Sequence, residues 1–223
     1  MHSTRKYART AGISLLLMAA AAGYAYGVAY AGLVNPTQAS ETWQQIQSAR
    51  SQFVAGIIGW WVIFLLDLLV AWSLYQYFRA EQPRLSLSAA ILRGVYTVIL
   101  GAAIVQQMKV LPLLADSSQA DQVLALMLGF DSVWSHGLIL FGVHLLGLGL
   151  LAWRATRFPR VLAVLLLVAG LGYMAIHGAR WWVPEQAEAI QQAETWLGVP
   201  MALGELALAV WLLVRGGKAS RSS

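Results

Sequence analysis

The 223-residue sequence contains no cysteine, which excludes disulfides, thiolate metal sites and cysteine nucleophiles and leaves the compartment open. Charge is scarce as well. Asp, Glu, Lys and Arg make up 11% of the chain, against about 25% in an ordinary soluble domain. Recognisable reaction signatures are also missing. There is no G-x-S-x-G nucleophile elbow, no glycine-rich phosphate loop and no H-E-x-x-H metal motif. The segment from Gly198 to Gly204 (GVPMALG) reads as a helix start rather than a nucleotide loop. Six prolines are present, and their positions are informative because proline disrupts a helix interior but is tolerated at ends and in first turns.

Apolar residues fill the space that charge leaves, at 59% of the chain. A spanning helix needs about 20 mostly apolar residues, and six segments meet or approach that: 11–34, 53–78, 89–111, 131–153, 160–182 and 198–214. Pro36, Pro83, Pro112, Pro159 and Pro184 fall between these segments, and Pro200 falls in the expected first turn of the last. Trp134, Trp153, Trp181, Trp182, Trp196 and Trp211 collect near the segment ends, as an interfacial aromatic belt does. The charges alternate with the segments. Arg5/Lys6/Arg9, Arg79/Arg84/Arg93, Arg154/Arg157/Arg160 and Arg215/Lys218/Arg221 form four basic clusters, while Glu41, Asp116, Asp121, Asp131, Glu185, Glu188 and Glu194 occupy the intervening connections. By the positive-inside rule the basic ends are cytoplasmic. The expected fold class is therefore all-α: a polytopic six-transmembrane-helix bundle, one integral membrane domain over 1–223, with both termini inside. The net charge of +5 sits at segment ends rather than on one surface, so the lipid bilayer is the expected partner and nucleic acid is not.

The N-terminal region has a second reading. Arg5/Lys6/Arg9, an apolar run and Ala29-Tyr30-Ala31 resemble a secretory signal with its cleavage site. The apolar run is too long for such a signal, and Ala19, Gly23, Gly27 and Ala31 make a small-residue stripe suited to close helix packing. An uncleaved first span is the expectation. The three external connections, 37–52, 115–129 and 185–197, are long enough for short amphipathic helices, with Val123, Leu124, Met127 and Leu128 forming one apolar face. Such helices lie on the outer surface or form a lid.

Ionisable groups inside spans are costly and usually face the bundle interior. At ~1.5 Å per residue they sort into two layers. Gln107, His136, His177 and Glu205 form an outer layer about 6–10 Å from the outer ends. Asp67 and His144 lie about 20 Å in and Arg93 about 27 Å, forming an inner layer. Arg93 or His144 is the natural partner for Asp67, because an isolated charge in hydrocarbon must be paired or neutralised. On the third span Arg93, Tyr96, Ala103 and Gln107 share one face, and on the fifth Gly170, Tyr173, His177 and Arg180 do. Two imidazoles and a carboxylate in the outer layer raise the alternatives of a metal or haem site, but without a ligand motif no cofactor is expected.

Several stretches carry a family resemblance: Phe130 to Trp134 (FDSVW), Phe141 to Leu146 (FGVHLL), Phe158-Pro159-Arg160 with Leu165 to Tyr173, and Gly204 to Leu213 (GELALAVWLL). They resemble a bacterial family of multi-pass membrane proteins catalogued as domain of unknown function 4386. The resemblance covers most of the chain from the second span onward and is most specific over 130–173. It implies six spans, an uncleaved first helix and a bacterial inner membrane, and it assigns no activity. Asp131, His144 and Glu205 fall within the resembling stretches.

Three functional readings follow. The first is a non-catalytic membrane component: a scaffold, sensor or accessory subunit, with a membrane-protein partner or a second copy as its associate. The second is a transporter or channel with a polar path through Asp67, Arg93 and His144. The third is a membrane enzyme with an outer-leaflet His/Glu site. Catalytic residues are not identifiable in the sequence.

Overall fold

A computed structural model describes residues 2–156 and 158–216; Arg157, Lys218 and Arg221 of the basic clusters lie outside the described residues. The elements are α1 (His2–Ala22) continuing into a π-helical segment (Gly23–Tyr30), α2 (Ala39–Ser48), α3 (Arg50–Phe78), α4 (Pro83–Leu113), α5 (Ala120–Arg154), α6 (Arg160–Trp182) and α7 (Ala187–Val214). Among the described residues there is no strand. Among the described residues six helices are long and apolar enough to cross a membrane. With 29 to 35 residues in α3, α4 and α5, their lengths of roughly 43–52 Å exceed a hydrocarbon core of about 30 Å. Their outward faces are apolar. Ile58, Val62, Leu65, Leu69 and Trp72 on α3, and Val161, Val164, Val168 and Leu171 on α6, recur at helical spacing and are all exposed. Contiguous apolar stripes of this kind are unstable in water and suited to lipid. The protein is a multi-pass membrane protein.

The helix boundaries correct several expectations. Of the three connections expected to be external, only the first forms a separate short helix, α2. Residues of the second and third follow short 3₁₀ turns (Ser117–Gln119 and Pro184–Gln186) and then run without a break into α5 and α7. The reason is electrostatic as well as apolar. Glu41, Asp121 and Glu188 fall in the first turns of α2, α5 and α7, where the helix dipole favours negative charge. Asp116 accepts hydrogen bonds from the Ser118 hydroxyl at 2.7 Å and its N–H at 2.9 Å, which hold its carboxyl below the usual carboxylate range. Because α7 starts early, Pro200 lies inside the helix instead of in its first turn, and Pro112 lies inside the end of α4. Pro200 has no N–H, so the ladder bond to the carbonyl four residues earlier is missing at that point.

The described chain divides into two compact units. One comprises 17–65 and 97–135. Its packing is set by the π segment, where i→i+5 bonding changes the phase of the helix. Ala25 and Ala29 are buried, and a Cβ on Gly56 would stand 2.5 Å from Ala29 Cβ, one on Gly59 3.2 Å from Ala25 Cβ. Small residues on both helices thus let the backbones approach. The stripe expected for that role is elsewhere: Ala19, Gly23, Gly27 and Ala31 are exposed, and added Cβ atoms at Gly23 and Gly27 meet nothing within 4 Å. The same phase stacks Tyr26 on Tyr30, ring centroids 5.4 Å apart, and both rings join Trp60, Phe130 and Trp134 in one aromatic cluster. Helix α2 docks here by burying Thr42 and Ile46. Its Trp43 indole N–H donates to the Leu113 carbonyl at 3.4 Å, satisfying an open acceptor at the end of α4.

Of the described residues, the other unit comprises 2–16, 66–96, 136–156 and 158–216. Helices α5 and α6 touch backbone to backbone, and a Cβ on either Gly142 or Gly170 would stand 2.7 Å from the other's carbonyl oxygen. Gly12 is equally tight against α7, 2.7 Å from Leu213 Cγ and 2.8 Å from the Ala209 carbonyl by the same construction. Beside it Arg5 donates to three carbonyls at the end of α7: Leu212 at 3.2 Å, Leu213 at 2.6 Å and Gly216 at 2.6 Å. These acceptors have no partner within the helix.

Two mutational outcomes follow from these contacts. Gly56→Leu in purified protein lowers the thermal midpoint, by about 1–3 kcal/mol of stability as overpacking does, whereas Gly23→Ala leaves it unchanged or raises it. Arg5→Ala removes three charge-assisted bonds and costs roughly 1.5–3 kcal/mol. Arg5→Lys recovers only part of that loss, because an ammonium cannot fork across the carbonyls.

Candidate functional site: a buried arginine cluster

Arg93 projects from α4 within the unit formed by 2–16, 66–96, 136–156 and 158–216. It is 1% exposed, and the groups it meets, Asp67 on α3 and His144 on α5, are 0% and 1% exposed. Its guanidinium contacts Asp67 and His144 at the same time. Nε donates to Asp67 Oδ1 at 2.8 Å and Nη2 meets the same oxygen at 2.6 Å. Nη1 meets His144 Nε2 at 3.3 Å. The imidazole's other nitrogen, Nδ1, lies 2.8 Å from the carbonyl of Ala89, four residues before Arg93 on α4. A carbonyl only accepts, so Nδ1 carries the hydrogen and Nε2 offers its lone pair to Arg93. His144 is therefore held as the neutral Nδ1–H tautomer. One face of the guanidinium lies over Phe141, 5.2 Å from the ring centroid. Phe141 is in turn flanked by Tyr96 at 4.9 Å and Tyr173 at 5.3 Å.

The geometry follows from the local sequence. Phe141 and His144 are three residues apart on α5 and so share a face. Gly142 is next to Phe141, and its close approach to Gly170 brings α6 near enough for Tyr173 to meet the Phe141 ring edge-on. One atom stands outside this arrangement. Asp67 Oδ2 is buried and has no hydrogen-bond partner, since both contacts from Arg93 fall on Oδ1.

The outer-layer residues are dispersed. His177 is buried and its ring stacks on Tyr173 at 6.0 Å. His136 is exposed, with its ring edge-to-face with Trp181 at 4.6 Å. Glu205 is half-buried on α7 and makes no hydrogen bond or ion pair among the described residues. Gln107 is buried in the other unit. Among the described residues no three His, Asp or Glu side chains are grouped so as to hold a metal ion. Arg180 pairs with Glu194 where both are partly exposed, a setting in which an ion pair contributes little.

A family model, domain of unknown function DUF4386, matches residues 10–216. The chain belongs to this family. A DUF4386 chain of this kind is also similar to an uncharacterized protein of Archaeoglobus fulgidus, 28% identical over 167 residues that cover 75% of this chain and 87% of the relative. No solved structure matches it.

In this DUF4386 protein, sequence reasoning did not find the Ala89 carbonyl or Phe141 as parts of the cluster. The carbonyl is a backbone group with no sequence signal. Phe141 had one, its i,i+3 spacing from His144. Replacing His144 by Ala removes the imidazole that meets Arg93 Nη1 in a buried setting. The expected loss is about 1–3 kcal/mol, read as a lower thermal midpoint. His144→Gln, which offers a carbonyl oxygen, is expected to lose less.

Proposed function

We infer that the protein is a non-catalytic component of the bacterial inner membrane, with both termini on the cytoplasmic side, acting as a scaffold, sensor or accessory subunit. Its intramembrane charges serve to hold helices in register. The observation that carries this reading is the closure of the Arg93 cluster. Guanidinium, carboxylate, imidazole and a backbone carbonyl bond to one another and are withdrawn from the surface, which is how a register-fixing polar group behaves. Charge alternation supports the orientation, and the family resemblance supports the bacterial membrane.

The reading has a direct test. Asp67→Leu alone removes the carboxylate that meets the buried Arg93 charge and is expected to destabilise by about 3–5 kcal/mol, whereas Asp67→Leu combined with Arg93→Met restores most of the stability by making the site apolar. Proteoliposomes containing the parent protein are expected to show no proton or cation flux above empty vesicles.

One observation favours a second reading, a transporter with a polar path through Asp67, Arg93 and His144. Asp67 Oδ2 is a buried acceptor with nothing on it, and such a carboxylate oxygen in a span is a place where a proton or cation is held in transit. Flux in the parent that Asp67→Asn abolishes without unfolding the protein would replace the first reading by this one.

A further inference from the structure

Where α3 turns into α4 and α5 ends, the surface carries a shallow, open cleft of about 420 Å³ lined by Glu81, Gln82, Pro83, Arg84, Leu85 and Arg154. All six residues belong to the unit that contains the arginine cluster, but the cleft is at the surface. Glu81, Arg84 and Arg154 are exposed. None of their charged groups makes a hydrogen bond or ion pair among the described residues. Two arginines and one glutamate therefore border the same, mostly apolar cleft without neutralising one another.

The surroundings of the cleft are those of a helix end at a membrane interface. Arg160 lies with its guanidinium 4.8 Å over the ring of Trp153, the residue before Arg154, and Arg79 lies 6.0 Å over Tyr75 near the end of α3. Trp153 is itself 44% exposed. Tryptophan, tyrosine and basic side chains at helix ends occupy the headgroup zone. The cleft thus opens where lipid phosphates are.

We propose that this cleft binds a phosphate ester bearing a primary ammonium, the headgroup of a phosphoethanolamine lipid. The phosphate lies between Arg84 and Arg154, whose planar forks suit its oxygens. The ammonium reaches Glu81. Each part of the lining then has a counterpart: the two cations meet the anion, and the carboxylate meets the cation. A phosphoglycerol headgroup lacks the ammonium and leaves Glu81 facing a phosphate. A phosphocholine headgroup has the charge but no N–H to donate to the carboxylate. The same chemistry is available from a soluble phosphoethanolamine ester, so the source must be separated from the chemistry.

The test is native mass spectrometry of the full chain in mild detergent, titrated with phosphatidylethanolamine, phosphatidylglycerol and phosphatidylcholine of identical acyl chains. One phosphatidylethanolamine per chain is expected, bound about tenfold more tightly than either competitor, the equivalent of one charge-assisted contact. Arg84→Gln with Arg154→Gln is expected to weaken it by about tenfold or more. Glu81→Gln is expected to keep phosphatidylglycerol binding and erase the preference for the ethanolamine lipid. Equal binding of the three lipids to the parent, or a double variant that binds as the parent does, overturns the proposal. Glycerophosphoethanolamine without acyl chains forms the second arm. Failure to compete supports a lipid source, and competition at equal concentration overturns the lipid assignment in favour of a soluble ester. The three positions are exposed, so folded variants with unchanged thermal midpoints are expected; should the double variant not fold, the Glu81→Gln selectivity decides.

Discussion

A guanidinium in a hydrocarbon-embedded bundle must have its charge and its donors answered by protein, because no water is there to answer them. Arg93 is that constraint in this molecule. Arg93 on α4 meets Asp67 on α3 and His144 on α5, and His144 in turn donates to the Ala89 carbonyl on α4, so three helices are tied together. A rotation of any one by a single residue breaks a contact. A fourth helix, α6, is tied in less directly through Tyr173 and Phe141, and only because Gly142 and Gly170 allow the backbones to touch. Oil-like side chains pack in many nearly equivalent ways between such helices. The arginine cluster selects one of them.

The same rule governs the helix ends, where carbonyls lose their intrahelical partners. The solutions differ in chemistry but not in logic. Arg5 donates to the end of α7, the Trp43 indole donates to the end of α4, and Gln52 donates to the Val28 carbonyl within the π segment. Each donor comes from a segment distant in sequence or from a different helix. End satisfaction and tertiary packing are therefore the same contacts.

How much of this was legible in the sequence depends on the range of the physics involved. The six apolar helices were visible because hydropathy is summed over many residues, and the buried face through Arg93, Tyr96, Ala103 and Gln107 was visible because α-helical periodicity is regular; of the face through Gly170, Tyr173, His177 and Arg180, only Gly170 and His177 are buried, while Tyr173 and Arg180 are partly exposed. The stripe of Ala19, Gly23, Gly27 and Ala31 misled for the complementary reason. It presumed a packing phase that Ala25 and Ala29 hold instead, within a π segment that no propensity rule signals. Pro200 was assigned to a helix start because proline is better tolerated there, yet the helix began more than ten residues earlier, at Ala187. In the candidate site, cost alone picked out Asp67, Arg93 and His144 from the sequence, while the Ala89 carbonyl and the one-sided use of Asp67 Oδ1 were geometric and had no trace in residue identity. His136 and His177 were grouped by depth, and depth says nothing about the angle at which a side chain leaves its helix.

The clasp between Arg5 and the end of α7 bears on how the protein is made. The Arg5 and Gly216 partners are 211 residues apart, so the N-terminal helix cannot make this contact until the last helix has been synthesised. At a chain growth of 5–20 residues per second, that is a wait of roughly 10–40 s. During that interval the tight seat that Gly12 occupies against Ala209 and Leu213 does not yet exist, and the first helix can be held only by the bilayer and by segments made before the last one. This contact thus forms only after α7 has been inserted, and an error in inserting α7 would leave α1 without it.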